Sequence, residues 1–137
     1  MSESDEPPVA EILARRAEGD LLAARELAKS PQIDDLYVGF HVQQAVEKWL
    51  KAVLASCRVR FPFTHDIDHL AELIVAEGIE LSFDLDAASA LTDYAVPLRY
   101  GEGVEEDEPL DRDAALQLGE TVGAWATALI AESQAEA

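Results

Sequence analysis

The sequence has one cysteine, no long apolar segment and little positive charge. The single cysteine, Cys57, cannot form a disulfide within the chain and gives no sign of an oxidising compartment. No apolar run approaches the roughly 18 residues that a membrane-spanning helix needs. The first residues are acidic and lack the basic and then apolar order of a signal peptide. We therefore expect a cytoplasmic protein that does not bind membranes.

Negatively charged residues dominate the composition of the chain. The 137 residues include 10 Lys and Arg against 28 Asp and Glu, a net charge of −18. Nucleic acid attracts clustered Lys and Arg, so this balance disfavours general nucleic-acid binding. Hydrophobic residues make up 49% of the chain and Gly and Pro are few, which is typical of a folded protein. The length predicts one domain over residues 9–133, after a disordered acidic N-terminus of residues 1–8.

Apolar residues recur at helical spacing along nearly the whole chain, and no stretch alternates with period two. Turn signals divide this pattern into segments. The predicted helices are Val9 to Ala28, Asp34 or Asp35 to about Cys57, His65 to Ala76 with Thr64 as N-cap, Asp84 or Asp86 to Arg99, and Asp111 to about Ala131. The predicted fold class is therefore all-α, an up-and-down helical bundle with short connections.

The second predicted helix has two chemically different sides. At about 100° per residue, one side is apolar and faces the core. The other side carries His41, Gln44, Lys48, Lys51, Ala55 and Arg58. Between Phe40 and Phe61 four basic side chains stand against one acid, the reverse of the balance in the whole chain. Two interpretations stay open: solvated lysines that pair with neighbouring acids, or a cationic strip for phosphate or an acidic partner.

Several motifs in order resemble the HEPN family, a helical domain of nucleotide-binding type shared by higher eukaryotes and prokaryotes. The likeness covers roughly residues 10–130. It is carried by Arg16-Ala17-Glu18-x-Asp20-Leu21, Phe40-His41, Gln43-Gln44-Ala45-x-Glu47-Lys48-x-Leu50-Lys51, Phe61-Pro62-x-Thr64-His65-Asp66 and Tyr94-Ala95-Val96-x-x-Arg99-Tyr100. The resemblance implies a bundle of four core helices plus a fifth helix. It also implies that this bundle forms a homodimer. It also implies a small nucleotidyltransferase as partner, a pairing associated with toxin–antitoxin behaviour.

Many HEPN proteins are metal-independent ribonucleases whose signature is an Arg followed a few residues later by His. The resemblance places that motif at Arg99, and no histidine follows Arg99 here. It therefore implies the branch without the nuclease motif, for which we expect neither enzymatic activity nor a cofactor. Arg58 and Arg60 precede His65 at a similar spacing, in the turn before the third helix. The alternative function is accordingly an RNase toxin that uses Arg58 or Arg60 with His65.

The leading interpretation is a non-catalytic HEPN domain that binds a nucleotide or a nucleotidyltransferase partner. Its predicted ligand- or partner-binding residues are Gln44, Lys48, Lys51, Arg58, Arg99 and Tyr100, and its predicted dimer-interface residues are His41 and Gln43. His65 and His69 are four residues apart, a spacing that suits two metal ligands, but a third ligand is missing and no metal site is predicted. A purely structural dimerisation module is the remaining alternative.

Overall fold

The computed structural model describes residues 8–95 and 109–136. Over these residues the chain forms five α-helices and one 3-10 helix, and it contains no strand. The helices are α1 (Val9–Ala28), α2 (Asp35–Ser56), α3 (Ile67–Ala76), α4 (Leu85–Ala90), the 3-10 helix Leu91–Tyr94, and α5 (Arg112–Glu136). The predicted all-α bundle is confirmed. The predicted bounds of the domain stay a prediction, and residues 1–7 lie outside the described part.

Helix α2 lies at the centre of the bundle. It packs most extensively against α1, then against α5 and α3. Its apolar side is therefore covered on several sides, and the side chains of Val42, Val46, Leu50, Val53 and Leu54 are fully buried. Burial of each such side chain contributes about 1.5–3 kcal/mol. This central position means that polar residues on α2 must either reach solvent at its edge or find partners inside the protein.

Helix ends follow the expected capping chemistry with one correction. Asp34 caps α2, because its carboxylate accepts a hydrogen bond from the Leu36 N–H at 2.8 Å. The third helix begins later than predicted, since Asp66 rather than Thr64 is its N-cap and accepts from the backbone of Asp68 at 3.0 Å. The Thr64 hydroxyl instead accepts from the Asp66 N–H at 3.0 Å. Thr64 thus shapes the turn that leads into the cap.

The fourth predicted helix is shorter and tighter than its apolar spacing indicated. The α-helix ends at Ala90, and the chain continues as the 3-10 helix to Tyr94. The Tyr94 ring lies so close to α2 that a Cβ at Gly39 would be 2.4 Å from it, so only glycine allows this approach. The remainder of the prediction, with Arg99 and Tyr100, lies outside the described residues.

Candidate functional site

A buried carboxylate organises one side of α2. Glu47 is only 3% exposed, and its two oxygens accept from three side chains. Gln43 Nε2 lies 3.0 Å and His65 Nδ1 lies 2.8 Å from Oε1, while Lys51 Nζ lies 2.8 Å from Oε2. We call Gln43, Glu47, Lys51 and His65 the Glu47 cluster. It joins the middle of α2 to the loop that precedes α3.

The Glu47 cluster keeps its carboxylate ionised. Burial by itself would raise the pKa of Glu47, but hydrogen bonds from Lys51, Gln43 and His65 and the charge of Lys51 outweigh it, and the pKa lies below its ordinary value. An ionised acceptor binds an N–H group, so the Nδ1 atom that faces Glu47 is the donor of this contact. In the tautomer with a single proton, on Nδ1, the Nε2 atom of this half-exposed side chain carries a lone pair.

A second polar cluster lies between α1 and α2. Asp20 of α1 accepts from Lys48 Nζ at 2.5 Å, and its other oxygen is 3.2 Å from His41 Nδ1. The three side chains are partly buried. The His41 ring also meets the Phe40 ring edge-on, with 5.2 Å between their centroids. Lys48 and His41 therefore each have a partner within the chain.

Of the predicted interface residues, Gln43 is fully buried in the single chain. Besides Glu47 it donates to the backbone oxygen of His65 at 3.3 Å, and its own Oε1 accepts from Gln44 Nε2 at 2.7 Å. The interface role of Gln43 was predicted because a buried amide needs hydrogen-bond partners. Gln43 finds these partners inside the chain. The dimer itself, with His41 at its interface, stays a prediction.

The predicted binding strip is divided by these contacts. Lys48 and Lys51 each face a carboxylate of the chain, and Gln44 donates to Gln43. Arg58 and Arg60 are exposed, and neither has a carboxylate within ion-pair distance in residues 8–95 and 109–136. Among the described residues, exposed arginines without an ion-pair partner are consequently found at the end of α2 and in the following loop, and also at Arg16 of α1. Arg99 and Tyr100 complete the predicted strip but are not among the described residues.

Arg58 has an unusual backbone conformation for its residue type. Its φ is +59°, in the left-handed region. The Arg58 N–H donates to the Ala55 oxygen at 3.0 Å, and the Val59 N–H donates to the Leu54 oxygen at 2.9 Å. This pair of bonds defines a Schellman ending of α2, in which glycine usually occupies the position of Arg58.

The two histidines with metal-ligand spacing have different partners. His65 contacts Glu47, whereas His69 Nδ1 lies 3.6 Å from a Glu72 oxygen. Across the described parts of the chain, no three His, Cys, Asp or Glu side chains converge in an arrangement that could hold a metal ion. His65 is instead built into the Glu47 cluster.

Sequence reasoning missed two acids that organise the site. Glu47 lies four residues from both Gln43 and Lys51, so the contacts within α2 could have been found from helical spacing. The contact of Asp20 with Lys48 depends on how α1 packs against α2, and the sequence carries no comparable signal for it.

Together these features define an α-helical bundle with a polar site along one edge of its central helix. The model of the HEPN domain family matches residues 10–129, most of the chain, and the chain belongs to this family. Searches of curated proteins and of solved structures gave no match. No helix in the described part of the chain is long and apolar enough to cross a membrane.

Proposed function

We propose that this chain is a non-catalytic HEPN module that binds a negatively charged partner at the end of α2. The first candidate is an acidic surface of a nucleotidyltransferase-like protein, and the second is the phosphate group of a nucleotide. The observation that supports the proposal is the pair Arg58 and Arg60, which are exposed without a carboxylate partner among the described residues. Guanidinium groups bind carboxylate and phosphate through paired hydrogen bonds.

Lys48 and Lys51 have a different role in this proposal. Each is already paired with a buried or half-buried carboxylate, and Lys51 is only 13% exposed. An incoming anion would compete with Asp20 or Glu47 for these ammonium groups. Their first contribution is therefore to hold α2 and its neighbours in place, and Arg58 and Arg60 make the direct contact.

Two binding measurements test the proposal. The protein is titrated with ATP by calorimetry, and it is co-purified with a co-expressed minimal nucleotidyltransferase from the same genome. We expect Arg58→Glu/Arg60→Glu to abolish binding of whichever partner is found. The control is Arg15→Glu/Arg16→Glu, which changes the net charge equally on the exposed side of α1. Equal loss in both variants would indicate a general charge effect, and binding unchanged in Arg58→Glu/Arg60→Glu would remove the assignment.

A toxin–antitoxin-type pair is the physiological setting proposed for this module. In that setting, expression of one member alone should slow growth, and co-expression of the other should restore it. The comparison of wild type with Arg58→Glu/Arg60→Glu in the same strain tests whether the proposed surface takes part. If growth is restored equally with wild type and with Arg58→Glu/Arg60→Glu, the proposed surface takes no part in the pairing.

One observation favours the ribonuclease alternative. Glu47 holds the His65 ring with Nε2 directed away from the carboxylate, as an oriented general base requires. Incubation of metal-free protein with single-stranded RNA decides between the two functions. Cleavage that His65→Ala abolishes and His69→Ala leaves intact would establish a ribonuclease and overturn the non-catalytic proposal.

A further inference from the structure

A fully exposed aromatic side chain stands in the loop between α2 and α3. The side chain of Phe63 lies entirely in solvent, whereas Phe61 packs against the core. Pro62, between them, is exposed as well. A single exposed apolar residue is common on protein surfaces and needs no explanation by itself. Phe63 differs from the other large exposed apolar residues of the described chain because it is fully exposed and lies in a loop, whereas those residues lie on helices.

The loop is fixed on both sides of Phe63. On one side Phe61 is anchored in the core. On the other, the His65 ring is bonded to Glu47 at 2.8 Å and the His65 backbone oxygen accepts from Gln43 at 3.3 Å. Because these contacts order the loop in the free protein, a partner that captured Phe63 would lose little entropy in ordering it. The Glu47 cluster therefore presents Phe63 in a defined position.

Two basic side chains lie near Phe63, one in space and one in sequence. Lys51 Nζ lies 5.9 Å from the Phe63 ring centroid and 6.0 Å from that of Phe61, within range of a cation–π contact. Arg60 is exposed three residues before Phe63. Aromatic residues and arginine are the residue types that most often anchor protein interfaces. The loop thus combines an aromatic anchor with unpaired positive charge.

We propose that Phe63 and Arg60 form a protein-docking surface for a partner segment that combines apolar residues with carboxylates. The proposal rests on the proposed function and specifies the kind of partner. Charge complementarity supports an acidic protein segment: Arg58 and Arg60 are exposed, and neither has a carboxylate within ion-pair distance among the described residues. A long polyanion such as RNA would meet the negative charge of the whole molecule, whereas a short protein segment contacts only the local surface.

A random peptide library displayed on phage tests this surface with the full-length protein as bait. The variant is Phe63→Ala, which alters only an exposed side chain, and the control is Leu22→Ala, an exposed apolar residue of α1. We expect wild type and Leu22→Ala to enrich peptides that combine apolar residues with Asp or Glu. Synthetic copies of these peptides should bind Phe63→Ala and Arg60→Glu about thirtyfold more weakly, the usual effect of losing an interface anchor.

The outcomes separate this inference from the proposed function. No enrichment, or peptides that bind Phe63→Ala as well as wild type, would overturn the docking surface and leave anion binding by Arg58 and Arg60 to its own assays. Phe63-dependent peptides in a protein that binds neither ATP nor the nucleotidyltransferase would keep the surface and remove the proposed function. Binding of oligo(U) that Phe63→Ala abolishes would assign the loop to nucleic acid and overturn the protein partner.

Discussion

The Nδ1 atom of His65 lies 2.8 Å from the Oε1 atom of Glu47, and this contact fastens the loop before α3 to the middle of α2. The loop carries the exposed groups from which binding is proposed, whereas Glu47 is buried. A change at Glu47 should therefore alter both the stability of the bundle and the order of the loop.

Replacement of Glu47 by glutamine should destabilise the protein by about 3 kcal/mol, because Lys51 would lose its counter-charge in a largely buried position. The free energy of unfolding is measured in urea, with Glu77→Gln on the exposed end of α3 as control. A loss below about 1 kcal/mol would mean that Lys51 reaches solvent and that the cluster is not needed for the fold.

Acidic pH should lower the free energy of unfolding through the Glu47 carboxylate. The pKa of Glu47 is lower in the folded than in the unfolded state, so the unfolded state binds more protons as the pH falls. The stabilising contribution is complete above the ordinary glutamate pKa of about 4.3. It is lost as the pH falls through the lower folded pKa. Unfolding free energies between pH 6 and about 3 should fall less steeply in Glu47→Gln than in wild type, and equal slopes would contradict the prediction.

A further prediction concerns Arg112, which ties the start of α5 to the connection between α1 and α2. Its Nε donates to Asp35 at 2.7 Å, and its other nitrogens donate to the backbone oxygens of Ala28, Ser30 and Ile33. Lysine cannot reproduce this fork of donors. Arg112→Lys should therefore lower the free energy of unfolding by about 2 kcal/mol, and Arg15→Lys, at an exposed position, should leave it nearly unchanged. A denaturant titration of both variants makes the comparison.

Replacement by alanine at two helical glycines should change the stability of the protein in opposite directions. A Cβ at Gly19 would meet no atom within 4 Å, so Gly19→Ala should stabilise α1 by about 0.5–1 kcal/mol. A Cβ at Gly39 would lie 2.4 Å from the Tyr94 ring, so Gly39→Ala must displace that ring and destabilise the protein. Thermal unfolding of the pair measures both effects. Stabilisation by Gly39→Ala would contradict the close packing of Tyr94 on α2.

The sequence predicted the helices better than it predicted their polar contacts. Proline at position 31 and the acids that cap α2 and α4 are local signals, so they placed the last residues of α1 and the first residues of α2 and α4 with little help from packing. For α3 two neighbouring side chains could cap the helix, and the choice of Asp66 over Thr64 depends on the turn geometry. The pairing of Lys48 with Asp20 could not be foreseen, because it joins residues 28 positions apart in different helices.

The backbone of Arg58 links stability to the proposed binding surface. An arginine with φ of +59° occupies the position after α2 where glycine is usual, and a non-glycine residue in this conformation costs about 1 kcal/mol. Arg58→Gly should therefore leave the helix ending intact and raise the free energy of unfolding by up to about 1 kcal/mol. If Arg58 contacts a partner, the same variant should bind ATP or the nucleotidyltransferase more weakly than wild type.

Arg58→Lys provides the matched control, since it keeps the charge and the strained backbone but not the guanidinium group. We expect it to be no more stable than wild type and to bind with intermediate affinity. A more stable Arg58→Gly that binds as wild type would show that the strain has no connection with binding. A less stable Arg58→Gly would show instead that the arginine side chain stabilises the end of α2, where Arg58 lines a pocket together with Glu132 and Glu136 of α5.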